Sequence, residues 1–326
     1  MITIAVTGAS GFCGSHVAAL AAARGADVLC VGRRPGPVGR HVPWDAESGP
    51  PDLSGADLVV HCAAAVGDPV PGSPAEATMR AVNVDGTARL LEAAGGRPVV
   101  WVSSSSVYAP GPGRDRIIED HPVDGQLNAY GRTKAAGEVL ALASGAVVLR
   151  PRAVYGPGDP HLVPRLLARV RAGRLLLPGP DVALSLTAVE NLAGACLTAA
   201  SWDPGAYNIA DPVPYRRDEA VQTVLRAHGV RARIHHLPVR LAWGAAAAAE
   251  ALGRLRPGAE PPLTRYAVDQ LAHRVVLDVS KARARGWRPD RTLADYVATP
   301  GAPHTKRRPA GTRRAGERGN RTRPMS

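Results

Sequence analysis

Aromatic residues are scarce in this chain of 326 residues, at 4%, with one phenylalanine, five tryptophans and seven tyrosines. That scarcity argues against a site built by stacking nucleotide bases on aromatic rings. Cysteine is rarer still. Cys13, Cys30, Cys62 and Cys196 lie far apart and form no paired spacing of the kind that holds a metal or carries redox chemistry, so no metal site is expected. They sit in or beside apolar segments, which reads as buried, reduced thiols and a cytoplasmic location. No apolar run approaches the ~18 residues of a membrane span. The longest candidate, residues 241–252, is interrupted by Glu250. The chain opens directly on strand-like sequence, with no secretory leader pattern.

Acidic charge is also short, with 28 Asp and Glu against 40 Lys and Arg, for a net charge of +12. The excess is not evenly spread. Residues 301–326 carry eight Lys or Arg against Glu317 alone, a local +7 that leaves +5 for the first 300 residues, ordinary for an enzyme. The segment 299–326 is expected to be a disordered basic tail, and no specific nucleic-acid partner is implied.

Against these absences stands a hydrophobic content of 45%, enough for a large core. The strand candidates are apolar without alternation, which suits a parallel sheet covered on both faces. The organising stretch is Thr7-Gly8-Ala9-Ser10-Gly11-Phe12-Cys13-Gly14, reached from the apolar run 2–6 and opening into a helix over 15–24. Gly8 suits a tight turn, Gly11 a close approach of backbone amides to phosphate, and Gly14 close helix–strand packing. With the helix N-terminus behind them and a second strand over 27–31, these residues read as a dinucleotide pyrophosphate cradle. The fold class expected is therefore α/β: a Rossmann-type doubly wound parallel sheet (residues 1–155) with a smaller, mostly helical substrate region (156–298) partly interleaved with it.

The second strand ends in Gly32-Arg33-Arg34, where a site for NAD commonly places a carboxylate. Two guanidinium groups suit a 2′-phosphate, so NADP(H) is the preferred cofactor and NAD(H) the alternative; exposed loop arginines are the bland reading. Asp45 is a candidate for the adenine amino group or an ordinary loop aspartate. A third strand, 57–61, ends in small residues including Ala63 and Ala64, over which a cofactor can lie, and its His61 reads as a packed structural histidine. A strand over 98–102 opens into the serines 103–106, and a helix from about 128 to 143 follows. That helix carries Tyr130 and Lys134 four apart, hence on one face. A tyrosine serving as general acid or base near neutral pH needs its pKa lowered from about 10, and a nearby ammonium favours the phenolate.

The order of motifs TGASGFCG, HCAAA, NVDGT, SSSSVYA, YGRTK, LRPRAVYGPGD, AVENLAGA, YNIADP and LDVSKARARGWRP resembles the extended short-chain dehydrogenase/reductase superfamily over roughly residues 1–298. The stretches 156–179 and 261–271 are most similar to its 3β-hydroxysteroid dehydrogenase/isomerase-like branch. The resemblance implies Tyr130 as general acid/base, Lys134 on the nicotinamide ribose, Ser104 on the reacting oxygen, and Pro151 and Val154 near the nicotinamide. It places the cofactor along Gly8, Ser10, Gly11, Phe12 and Gly14, with Asn83 in the matching NVDGT motif. It implies a homodimer and an apolar small-molecule substrate, sterol-like, 3-oxo-acyl or polyketide-like, whose secondary alcohol and ketone are interconverted. Ala109 replaces the family's glycine after Val-Tyr, and Ser105 and Ser106 stand where sugar dehydratases carry an acidic pair, which excludes that chemistry. The alternatives are a nucleotide-sugar epimerase or 4-ketoreductase, and a non-catalytic cofactor-binding regulator. The helix over 241–252 is expected either to cover an apolar pocket or to pack as ordinary core.

Overall fold

Residues 3–7 read Thr-Ile-Ala-Val-Thr, β-branched and apolar on both sides of the pleat, and form β1 (Thr3–Thr7), buried apart from its first residue. The computed structural model describes residues 1–254, 261 and 263–298; the basic tail 299–326 lies outside these. After β1 come α1 (Phe12–Ala23), β2 (Asp27–Gly32), β3 (Arg40–Pro43), β4 (Leu58–His61), α2 (Pro74–Arg80), α3 (Gly86–Ala94), β5 (Val99–Val102), α4 (Ala129–Ala143) and β6 (Val147–Pro151). The second half runs through β7 (Val154–Tyr155), α5 (Leu162–Arg169), β8 (Arg174–Pro178), β9 (Ala183–Leu184), β10 (Thr187–Ala188), α6 (Val189–Thr198) and β11 (Gly205–Ile209). It ends with β12 (Tyr215–Arg216), α7 (Arg217–Ala227), β13 (Arg233–Leu237), α8 (Val239–Arg254), α9 (Arg265–Ala272), α10 (Ser280–Ala284) and α11 (Leu293–Ala298).

Seven strands make one parallel sheet in the order β11-β6-β5-β4-β1-β2-β3. Helices cover both faces. On one, Val17, Ala18 and Ala21 of α1 pack with Leu192 and Cys196 of α6 against Val6, Val60 and Leu149. On the other, Leu90 and Ala94 of α3 and Ala141 of α4 pack against Ala5, Val59 and Trp101. This is the doubly wound architecture the sequence implies. The chain leaves β1 for β2 on one side and reaches β4 on the other, so a crevice opens at the carboxyl end of β1, where such sheets bind ligands.

One feature differs from the sequence reading. Strand β3 was not expected, because only Val42 of its four residues is buried and no apolar run marks it. The helix expected over 241–252 spans Val239–Arg254 and packs as core, the second of the two expected alternatives, with Ala242 and Ala246 buried against Val268 and Ala272 of α9. Leu241 and Leu252, 67% and 63% exposed, share the outward stripe because eleven residues are close to three turns. The alanines, not the leucines, make the contact. The second half also holds three two-stranded pairs, β10-β7, β12-β9 and β13-β8, between its helices.

Candidate active site

The loop after β1 turns at Gly8, whose φ of +66° belongs to the left-handed region that glycine adopts freely. A Cβ there would stand 2.8 Å from the Ala63 backbone, and a Cβ on Gly14 would stand 2.3 Å from the Gly8 carbonyl oxygen. Strand end, loop and helix therefore touch backbone to backbone. The Gly11 amide donates to Gly8 O at 2.8 Å and closes the turn. Gly11 caps α1 without a side-chain bond, and the first turn carries no acidic residue, so its amides and positive helix end face the crevice. Ser10 is exposed and Phe12 half-buried at this rim. An uncapped helix end over a cradle that any side chain would fill fits a dinucleotide pyrophosphate.

Arg33 and Arg34 follow β2 and are exposed. The register pairs Gly32 with Pro43, so Asp45 leaves the sheet beside them at the end of β3. Asp45 accepts from the Glu47 amide at 3.1 Å, closing its own turn. Across the crevice, Asn83 sits in a π-helical turn between α2 and α3. Its amide is fully engaged: Oδ1 accepts from Ala65 N (2.8 Å), while Nδ2 donates to Ala65 O and to Thr133 Oγ1 (3.0 Å each). Asn83 thus ties the Ala63–Ala64 turn to α4. His61, buried, shares a 2.7 Å hydrogen bond with Thr7 Oγ1, and burial holds its pKa down at about 3, so it is a neutral packed histidine.

The Asn128 side chain caps α4 by accepting from Gly131 N at 2.9 Å, and this places Tyr130 in the first turn and Lys134 one turn later. Lys134 is buried. Its Nζ donates to Val102 O at 2.7 Å and lies 3.6 Å from the centre of the Trp101 ring, and burial lowers its pKa to about 7. Tyr130 is half-buried, and burial chiefly raises its phenol above the usual value, with Tyr266 and Cys13 adding and the hydrogen-bonding Ser104 hydroxyl opposing. Burial is the largest influence on the phenol from the chain itself. All four cysteines are free; Cys30 and Cys196 are buried, while Cys13 and Cys62 are only half-buried beside the crevice.

Ser104 caps a short 3-10 turn, accepting from Ser106 N (3.1 Å) and donating to Ser106 Oγ (3.0 Å). Ser106 Oγ in turn lies 2.6 Å from Tyr266 Oη. Tyr266 comes from α9, started by the Thr264 cap. That helix is pinned by Asp269, which takes Arg114 Nη2 at 2.7 Å with both side chains buried. Beneath the serines, Ser103 donates to Glu138 at 2.5 Å and Glu138 pairs with buried Arg150, which holds the sheet end rigid. Pro151 is buried at the end of β6, and Val154 follows in β7, with Arg152 at the bend between them.

The structure therefore brings Ser104 and Tyr130 together beside Lys134 and the glycine loop. Ser106, Tyr266 and Arg152 join them from positions that sequence reasoning did not select. The local signal for Tyr266 was its place in the PPLTRYAVDQL stretch; its contact with Ser106 crosses 160 residues and leaves no local trace. Among the described residues, no group of three or more His, Cys, Asp or Glu side chains is placed to hold a metal, and no helix is long and apolar enough to cross a membrane.

Residues 4–210 match the model of the NAD dependent epimerase/dehydratase family. A ketoreductase of Stigmatella aurantiaca acting on 4-hydroxy-2-methyl-3-oxo-4-farnesyl-3,4-dihydroquinoline-1-oxide is 30% identical, over 85% of this chain and 89% of its own. A 2-alkyl-3-oxoalkanoate reductase of Stenotrophomonas maltophilia is 32% identical, over 82% and 88%. Among solved structures, MoeE5 in complex with UDP-glucose and NAD superposes with a TM-score of 0.67 at 26% identity, covering 92% of this chain and 97% of that one.

Proposed function

Because the chain belongs to the NAD dependent epimerase/dehydratase family, we propose that it interconverts a secondary alcohol and a ketone on an apolar substrate, with a nicotinamide dinucleotide as redox partner. The observation that carries this reading is the Ser104–Tyr130 pair at the carboxyl end of the sheet, with buried Lys134 one helical turn from Tyr130 and Cys13 of the glycine loop nearby. One relative described above is named for a 3-oxo group on a farnesylated quinoline oxide and the other for a 3-oxoalkanoate with an alkyl branch, which supports a ketone on a largely hydrocarbon substrate.

The residues fit the cofactor. Gly8, Ser10, Gly11, Phe12 and Gly14 would take the pyrophosphate, Arg33 and Arg34 the 2′-phosphate of NADP(H), and Asp45 the adenine. Ala63 and Ala64 would line the floor, braced by Asn83, while Lys134 would take the ribose, and Pro151 and Val154 would flank the nicotinamide. When bound, the cofactor supplies or accepts the hydride. The chain moves the proton. The Ser104 hydroxyl, turned from Ser106, donates to the substrate carbonyl oxygen, and Tyr130 Oη gives that oxygen its proton as the alcohol forms. A phenol held above its usual pKa stays protonated through neutral pH, ready for reduction. Alcohol oxidation needs the phenolate, so its initial rate is expected to climb from pH 6 to pH 10 while ketone reduction stays level near neutrality. An oxidation rate independent of pH would remove Tyr130 from the role.

The central test is a fluorescence titration with NADPH and NADH, paired with turnover assays. Tyr130→Phe is expected to keep cofactor affinity and to lose about 10²- to 10⁴-fold in kcat, the usual worth of a positioned acid/base. Arg33→Ala is expected to weaken NADPH about 10- to 100-fold, the loss of one or two charge-assisted hydrogen bonds, with NADH little changed. Binding of neither cofactor by the wild type would end the reading, and turnover of UDP-sugars would transfer it to the epimerase side of the family.

A further inference from the structure

Arg152 occupies the bend between β6 and β7 and is 5% exposed. Its Nη1 donates to Ser185 O at 2.7 Å and its Nη2 to Gln270 O at 3.0 Å. Nε is buried with no hydrogen-bond partner, and among the described residues the guanidinium makes no ion pair. Two neutral carbonyls hold the group in place without cancelling its charge.

The carboxylate that acts on Arg152 is Asp269, and it is already taken. Asp269 Oδ2 accepts from Arg114 Nη2 at 2.7 Å and from Gln270 Nε2 at 3.2 Å. Its Oδ1 accepts from Gly111 N at 2.9 Å and lies 3.0 Å from His273 Nδ1. Burial brings the Arg152 pKa down to about 10, and the charge of Arg114, itself buried, acts in the same direction. Two buried guanidinium groups thus share one buried carboxylate. A buried cation without a counter-charge is strongly unfavourable, and an anion that arrives with a ligand relieves it.

The location says which ligand. Arg152 Nη2 holds the carbonyl of Gln270, four residues after Tyr266 on α9, and the Tyr266 hydroxyl joins the Ser106–Ser104 chain. The unbalanced guanidinium therefore grips the same helix that reaches the serines of the proposed site. We propose that Arg152 binds a carboxylate carried by the substrate within a few carbons of the reacting carbonyl, so that the enzyme takes apolar 3-oxo or 3-hydroxy acids in preference to neutral ketones or esters. Arginine suits this task because its planar fork retains a donor, Nε, after both Nη groups are engaged. The substrate class rests on the ketoreductase reading above; the anion site does not.

Two measurements on the full-length protein separate them. In the first, oxidation of 3-hydroxydecanoate and of its methyl ester with NADP is followed for the wild type, Arg152→Met and Arg152→Lys. The wild type is expected to prefer the acid at least 10-fold in kcat/KM. Arg152→Met is expected to lose 10- to 100-fold on the acid and less than 3-fold on the ester, with Arg152→Lys recovering part of the loss, and all three titrating alike with NADPH. Equal use of acid and ester by the wild type, or equal loss of both in Arg152→Met, overturns the proposal. The second measurement needs no turnover: decanoate and methyl decanoate are titrated into the NADPH complex. Decanoate binding that weakens at least 10-fold in Arg152→Met supports the anion site even if neither alcohol is oxidised, a result that would count against the ketoreductase reading alone. Decanoate binding no tighter than methyl decanoate, or unchanged in Arg152→Met, overturns the site.

Discussion

His61 ends β4 at the floor of the crevice, bonded to Thr7 through Nδ1, while its Nε2 is buried without a partner. A proton on that ring has nowhere favourable to go, and the folded-state pKa of about 3 lies below the ordinary 6.5. Between those values the unfolded chain binds the proton and the folded chain does not, so stability is lost as pH falls from about 6.5 towards 3. One proton corresponds to at most about 1.4 kcal/mol per pH unit. Urea unfolding of His61→Gln is expected to show a shallower acid slope than the wild type by up to that amount, whatever its stability at neutral pH. Parallel profiles would mean that His61 is not the group that titrates. At this scale, what could be read in the sequence was what is local. Gly8, Gly14, Ser104 and Tyr130 each belong to a short motif whose spacing expresses its geometry. Arg152 and Tyr266 take their meaning from partners 118 and 160 residues away, and no spacing shows that.

Elements with strong periodicity or a capping side chain were legible, and α4 shows why: Asn128 announces its start and Tyr130 and Lys134 lie on one face. Strand β3 was not legible because an outer strand with one buried residue needs no apolar run. Helix α9 holds Tyr266, and what fixes it is the buried Arg114–Asp269 pair, 2% and 1% exposed, reinforced by the Thr264 cap. The two supports should differ in strength. Arg114→Met breaks a buried ion pair and is expected to cost about 3–5 kcal/mol, whereas Thr264→Ala removes one capping bond worth about 1 kcal/mol. Urea denaturation of the two variants decides it, and equal losses would show that the ion pair does not hold the helix.

Over the whole molecule, the main sheet crosses the boundary expected near residue 155. β11, residues 205–209, pairs with β6 over five residues, Gly205 with Val147 through Ile209 with Pro151. Helix α6 supplies Leu192, Ala193 and Cys196 to the core above the same sheet. A fragment of residues 1–155 would leave the outer edge of β6 without its β11 partner and α1 half uncovered. It is expected to lack a cooperative thermal transition and to be digested rapidly by protease, whereas a fragment of residues 1–298 should melt cooperatively; a cooperative transition in the shorter fragment would show that the first unit folds alone. Composition announced the parallel sheet, but the return of the chain to it after about 50 residues is a long-range pairing that apolar patterning does not encode.

The position of β11 also has a consequence for how the protein is made. β6 is buried at every residue in the finished molecule, yet its outer partner is completed only at residue 209, nearly 60 residues later. At translation rates of about 5–20 residues per second, roughly 3–12 s separate the two at the ribosome. For that interval the nascent chain carries an apolar strand with one ladder of amides and carbonyls unmatched, so its yield in the cell should depend on holdase capacity and on the pace of translation through residues 152–209.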